Sequence, residues 1–166
     1  YAGGLGILAG DYLKGAKEYG YPIIGIGIKW KQGYTDQQVD EQGRVYDAFY
    51  NYDYDFLEDT GVTVTVDIRR TPVQCKVWKC DNFGNAPLYL LDTDIPGNPD
   101  SWITGQLYGW FGEERIAQEM VLGIGGVRAL EPGALPLEPG QVVGVKLEQG
   151  APQVKEYGTD HEIGRA

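Results

Sequence analysis

The sequence is poorest in the side chains that most often carry chemistry. His161 is its only histidine, and Cys75 and Cys80 are its only cysteines. A Cys/His zinc site is therefore short of ligands, and a Ser-His-Asp or Cys-His catalytic arrangement would rest on one residue near the chain end. The two cysteines stand five apart in a stretch that alternates like a strand, so their side chains point to opposite faces and no disulfide between them is expected. Basic residues are scarce as well. Lys and Arg number 14 against 24 Asp and Glu, a formal charge of −10, which leaves no basic face to displace counterions from a nucleic acid. Long apolar runs are missing: nothing approaches the ~20 residues a membrane helix needs, and no basic-plus-apolar leader opens the chain. A soluble, cytoplasmic protein with neither nucleic-acid nor membrane partners is the expectation. The chain opens without methionine on Tyr1-Ala2-Gly3-Gly4, already inside a glycine motif where a domain would start with a strand, so a shortened chain or gene is expected.

What is present suits one α/β domain. With 166 residues, 42% of them apolar, the chain can bury a sizeable core, since single domains run to roughly 100–200 residues. Leu5, Leu8, Ala9, Tyr12, Leu13 and Ala16 recur at helical spacing and predict about four turns after Gly4, with Gly20 as the stop. The run from Pro22 to Ile28 is nearly all apolar, as expected of a strand buried on both faces. Residues 31–60 turn polar and aromatic, with Tyr46, Phe49, Tyr50, Tyr52, Tyr54 and Phe56 set among Asp47, Asp53, Asp55, Glu58 and Asp59 and no clean period. They read as an insertion loop whose aromatics dock on the domain while its acids face water. The alternative is a carbohydrate-stacking surface, since broad rings with polar tips suit sugars.

Three strand-like runs follow, Val62 to Ile68, Val73 to Cys80 and Pro87 to Leu91, with Asn82-Phe83-Gly84-Asn85 as the turn between the last two. Helical spacing returns in Ile103, Leu107, Ile116, Met120, Val121, Ile124 and Val127, and Glu113-Glu114 marks a helix start that should run to Leu130. Gly123, Gly125 and Gly126 weaken that helix by up to ~1 kcal/mol each and suggest close packing of another backbone. Pro132 ends it, and Leu130-Glu131-Pro132-Gly133 recurs as Leu137-Glu138-Pro139-Gly140, the look of a linker. Beyond it Gln141 to Leu147 alternates weakly, and Glu156 to Ala166 reads as a loose strand or disorder. Two divisions result: residues 1–130 as a partial domain and 131–166 as an unrelated or frameshifted Pro/Gly-rich tail.

Gly3-Gly4-Leu5-Gly6 at a helix entrance is the one motif with a direct mechanism. Unpaired N–H groups and the positive end of the helix dipole make an anion seat there, and glycine lets a phosphate approach the backbone. Taken alone, such a turn is equally well explained by packing. Its neighbourhood is more specific. The stretch Tyr1-Ala2-Gly3-Gly4-Leu5-Gly6-Ile7-Leu8-Ala9-Gly10-Asp11-Tyr12-Leu13-Lys14 resembles the glycine-rich stretch of bacterial-type α-glucan phosphorylases. Four more words follow in family order: residues 25–34, 87–96, Ile103-Thr104 with Leu107-Tyr108-Gly109, and Glu114 to Glu119 running into Leu122 to Leu130.

The resemblance implies the partial Rossmann-like N-terminal domain of a two-domain, GT-B-type glycosyltransferase, carrying a β-hairpin-rich insertion. The whole enzyme would cleave α-1,4-glucan with inorganic phosphate to glucose 1-phosphate, with pyridoxal phosphate held on a lysine of the second domain and a homodimer as one assembly open to it. On that pattern Gly3 and Gly4 would lie by the cofactor and substrate phosphates, and the backbone of Leu5 and Gly6 would face phosphate or sugar. No catalytic side chain and no metal ligand is assigned. The cofactor lysine is absent from this chain, so it is expected to be inactive alone. Departures mark the limits of the likeness: the family's Asn-Glu-Gly-His word should follow Leu130, where Glu131-Pro132-Gly133 stands, and Trp110-Phe111-Gly112 interrupts the word after Gly109. Asp92 and Asp94 read as caps of a turn before Pro96. Two other functions compete. Glycogen and starch synthases also place Gly-Gly-Leu at a helix entrance but carry a lysine two residues before the glycine pair, where Tyr1 stands; a non-catalytic glucan-binding domain would use segment 46–56. If partner strands are missing, Ile23, Ile24, Ile26 and Ile28 should form an exposed, association-prone surface.

Overall fold

A computed structural model describes residues 3–107, 109, 112–138, 140–146 and 154–156. Helix α1 (Gly3–Glu18) leads into β1 (Ile23–Ile28), and a two-stranded ribbon follows, β2 (Asp36–Val39) with β3 (Val45–Ala48). The long hairpin β4 (Glu58–Ile68) and β5 (Thr71–Cys80) precedes β6 (Leu88–Asp92). A 3-10 turn at Ser101–Thr104 and helix α2 (Glu113–Met120) come next. A π-helical segment at Val121–Gly125 joins α2 to α3 (Gly126–Ala129), and β7 (Val142–Lys146) and β8 (Val154–Glu156) close the described chain.

Six strands form one mixed sheet in the order β4-β5-β6-β1-β7-β8. β1 is parallel to both β6 and β7, while β4, β5 and β6 run antiparallel in sequence, as do β7 and β8. The central place of β1 explains its composition: a strand with a neighbour on each edge and a helix on each face has no side exposed to water. Ile24, Ile26 and Ile28 are buried beneath α2, the π segment and α3, among Val66, Val77, Tyr89, Leu91 and Val121. Gly25 points the other way, where an added Cβ would sit 2.9 Å from Leu88 Cδ1 and 3.3 Å from Leu13 Cδ1, so α1 packs on β1 at near-backbone distance. Cys75 and Cys80 are free thiols in the two different core clusters, on opposite faces of the sheet as their spacing required.

Several expectations need correction. Ile24, Ile26 and Ile28 are not an exposed surface, because α2 to α3 cover their face and β7 pairs along the edge of β1. Only Ala9, Leu13 and Ala16 of the predicted α1 stripe are buried; Leu5, Leu8 and Tyr12 are exposed, with nothing described packed against that half of the helix. Residues 31–60 are not irregular throughout, and β2 pairs with β3 through Asp40, whose carboxylate accepts from the Gln42 and Arg44 N–H groups. Ile103 and Leu107 belong to the 3-10 turn and the loop after it, outside the helix. The late glycines meet side chains and not a backbone: a Cβ on Gly125 would lie 3.2 Å from Val66 Cγ2, one on Gly126 3.1 Å from Ile26 Cγ2, and one on Gly123 would meet nothing. After α3, Leu130 and Leu135 are also buried in the main core.

Candidate functional site

Parallel β1 and β6 end side by side, and the chain turns out of the sheet after both. At this carboxyl edge of an α/β sheet, loops rather than strands decide what is presented. Lys29 follows β1 directly: its N–H donates to the Leu91 carbonyl at 2.9 Å, which holds it in the ladder, and its Nζ lies 2.9 Å from Asp92 Oδ2. The Asp92 side chain is 3% exposed and that of Lys29 18%, so the pair is largely desolvated. Every carboxylate oxygen has partners. Oδ2 also accepts from Trp78 Nε1 at 3.0 Å, and Oδ1 accepts from the Asp94 N–H at 2.9 Å and the Thr104 hydroxyl at 3.3 Å. The ammonium further sits 5.0 Å from the Tyr54 ring and 5.5 Å from that of Trp78, a cation–π setting for the same charge.

From this pair the loops are stitched together. Thr93 and Thr104 exchange backbone and hydroxyl bonds, pinning the 3-10 turn to the end of β6. Fully buried Gln118 of α2 donates to the Ile103 and Gln106 carbonyls. Lys31 and Gln32 donate to the Thr104 and Gly105 carbonyls, and Tyr52 donates to that of Lys31. Tyr54 gives its hydroxyl to the Trp30 carbonyl, and burial pushes its pKa up to about 12. Farther out, Lys31 pairs with Asp94 at 2.8 Å in water, and the bond to that carboxylate raises the lysine pKa.

The glycine motif opens α1, and geometry places it at this same end of the domain. Leu13 packs beside Gly25, and α1 runs back against β1. Ten helical residues from Leu13 to Gly3 rise ~15 Å, and four extended residues from Gly25 to Lys29 span ~13 Å. Nothing lies within 4 Å of a Cβ built on Gly4, so no packing constraint requires glycine there. Leu5 is exposed and Gly6 partly so. Among the described residues no hydrogen bond joins this turn to the Asp92 network, so the two features share an end and not a contact.

Chemically, the Asp92 network is saturated: a carboxylate with this many donors positions its neighbours and has no lone pair left to act as a base. Asp92 does cap the Asp94 turn as its spacing suggested, and it is also the buried hub, which sequence reasoning missed. Among the described residues, no group of three or more His, Cys, Asp or Glu side chains could hold a metal ion, and no helix is long and apolar enough to cross a membrane. Tyr1, Ala2, Tyr108, Trp110, Phe111 and His161 lie outside the described residues, as does the tail after Glu156.

Fold and site together define an α/β domain with an ion-paired carboxyl edge and an open glycine-rich helix entrance at the same end. Over 78–84% of its length this chain is similar to α-glucan phosphorylases. It is 37% identical over 155 residues to a maltodextrin phosphorylase of Thermococcus litoralis, covering 84% of this chain and 18% of that protein. It is 38% identical over 141 residues to a glycogen phosphorylase of Mycobacterium tuberculosis, covering 78% and 16%. An uncharacterized protein of Methanocaldococcus jannaschii is 43% identical over 135 residues, covering 79% and 26%. The chain thus spans about a quarter or less of the length of the curated relatives it matches. No family model matches it.

Proposed function

We propose that this chain is a segment of the N-terminal, Rossmann-like domain of a cytoplasmic, GT-B-type α-glucan phosphorylase, and that it supplies the phosphate-facing helix entrance of that enzyme. The similarity to proteins named maltodextrin and glycogen phosphorylase carries the reading. The whole enzyme would take α-1,4-glucan and inorganic phosphate, with pyridoxal phosphate contributing an acid/base phosphate group. Six of the lysines do not suit covalent attachment of that cofactor. Lys29, Lys31, Lys76 and Lys79 are each ion-paired to carboxylates, and Lys14 and Lys17 stand exposed on α1. A Schiff-base amine needs a desolvated, unpaired lysine; in this reading attachment belongs to the part of the enzyme beyond this chain, which leaves the chain alone inactive. Its own contribution is the opening turn of α1: N–H groups at Gly3, Gly4, Leu5 and Gly6 would orient a phosphate by charge-assisted hydrogen bonds.

Gly4→Val tests this assignment. Because a side chain at Gly4 meets nothing in the fold, the variant of this chain should keep its unfolding free energy within about 1 kcal/mol. In the longer enzyme the same change would hold the anion off the helix, losing one or two bonds worth roughly 1.5–3 kcal/mol each and slowing turnover at least tenfold. Normal turnover with a normal phosphate KM would show that the turn serves no phosphate.

A further inference from the structure

The core-facing side of α2 and of the π segment after it carries Ala117, Val121 and Leu122, and Gln118 interrupts them at 0% exposure. A leucine would fill such a place without taking an amide out of water, a step that is costly unless the polar atoms find partners. Here they all do. Nε2 donates to the Ile103 carbonyl at 3.1 Å and to the Gln106 carbonyl at 3.2 Å, while Oε1 accepts from Arg115 Nη1 at 3.3 Å. One side chain thus holds two carbonyls three residues apart. The turn between them is tight, since a Cβ on Gly105 would lie 2.8 Å from the Trp102 carbonyl oxygen.

The segment held in this way extends the sheet at its carboxyl edge. Gln32, beyond the end of β1, bridges Asn51 on one side and Gln106 on the other. Its N–H donates to the Gly105 carbonyl and its own carbonyl accepts from the Leu107 N–H, while Thr104 is fastened to Thr93 at the end of β6. Along the outside of this extension stand two bonded pairs, Lys31 with Asp94 at 2.8 Å and Gln32 with Asn51 at 2.9 Å. Amides both donate and accept, which suits the hydroxyls of a neutral sugar. Where those amides stand depends on where residues 103–107 sit, because the backbone of Gln32 is bonded to that segment. A buried polar network with every member satisfied specifies one arrangement, which an apolar core residue at 118 would not do.

We propose that Gln118 is a positioning residue: by holding the Ile103 and Gln106 carbonyls it fixes the place of Gln32 and Asn51 at the carboxyl edge, where a glucan end is oriented for phosphorolysis. The choice of ligand rests on the phosphorylase reading above. The Gln118 amide touches no ligand, and its effect runs through residues 103–107.

The test is steady-state phosphorolysis by the longer enzyme, with glucan and phosphate varied separately and rates expressed per folded enzyme. Gln118→Met keeps the length of the side chain and removes its donors. It should raise the glucan KM about tenfold, as a small displacement of orienting groups does, and leave the phosphate KM within about twofold. Gln118→Asn, too short to reach both carbonyls, should shift the glucan KM in the same direction, and it carries the comparison should Gln118→Met fail to fold. A purely structural residue would lower the urea midpoint of both variants and leave both KM values as in wild type; that result overturns the proposal. Equal rises in the glucan and phosphate KM would overturn it too, because the damage would then be general. A folded but inactive wild type would remove the phosphorylase reading and this proposal with it, whereas an active wild type with an unmoved glucan KM in the variants removes this proposal alone.

Discussion

Two Lys–Asp pairs at the same edge differ sharply in what they are worth. Lys31 and Asp94 meet in water, where the gain in attraction barely exceeds the entropy of holding two long side chains, so Asp94→Ala should cost at most about 1 kcal/mol. Asp92 is desolvated, and removing it strands a mostly buried ammonium and leaves Trp78 and Thr104 without their acceptor. Asp92→Ala should cost about 3–5 kcal/mol in urea unfolding; equal losses at both positions would mean that water reaches the Lys29 pair. A second residue-level expectation concerns alkaline pH. Burial raises the Cys75 thiol from 9.0 to about 12 and the Tyr54 hydroxyl from 10.0 to about 12. Raised folded values mean that the full contribution is present below the unfolded pKa and is lost as pH climbs to the folded one. Stability should therefore fall between about pH 9 and 12, and Cys75→Ala should flatten the first part of that fall. An unchanged pH profile would show that the thiol does not titrate in the unfolding equilibrium.

The β4–β5 hairpin turns through Arg69 and Arg70 with φ of 52° and 64°, a left-handed pair that glycine or asparagine fills without strain. Arg70→Gly should stabilise the protein by about 1 kcal/mol, raising Tm by roughly 2–4 °C; Arg69 is the poorer choice because it also reaches Glu113 at 3.1 Å. Elements whose pattern is set by both of their faces were legible in the sequence. The apolar run of β1, the alternation of β4 and β5, and the turn at 82–85 all read correctly, as did the helix begun by Glu113-Glu114. Elements shaped by surroundings were not. β2 and β3 alternate poorly because neither face is buried, and the exposed half of α1 keeps an apolar stripe with nothing described against it. The Lys29–Asp92 pair was illegible for a topological reason. Its members lie 63 residues apart and meet only because β6 inserts between β5 and β1. The glycine motif was legible as a helix entrance, but its freedom from packing could be seen only once the neighbours of Gly4 were known.

At the scale of the molecule, the sequence-based boundary at residue 130 runs through a structure in which later residues lie against the domain. Leu130 and Leu135 are buried with Ile24, Ile26 and Val121 in the main core. β7 takes the free edge of β1 in parallel, pairing Ile23 with Val142 and Ile24 with Val143. A chain ending at Leu130 would lose that cover and turn the most apolar strand of the sheet into an edge, a row of unpaired N–H and C=O groups that templates association. The loss of Leu135 alone should cost about 2–5 kcal/mol, by analogy with truncating a core leucine. Residues 1–130 should therefore unfold at lower urea than the full chain and elute from gel filtration as oligomers or aggregate, whereas the 166-residue chain stays smaller at the same concentration. An intermediate chain ending after Leu137 separates the two contributions: it keeps the Leu135 contact but not β7, so it should recover part of the stability and still associate. If the chain of residues 1–130 were monomeric with the full chain's unfolding midpoint, residues 131–146 would contribute nothing to the domain, and the boundary read from the Pro/Gly composition would be the physical one.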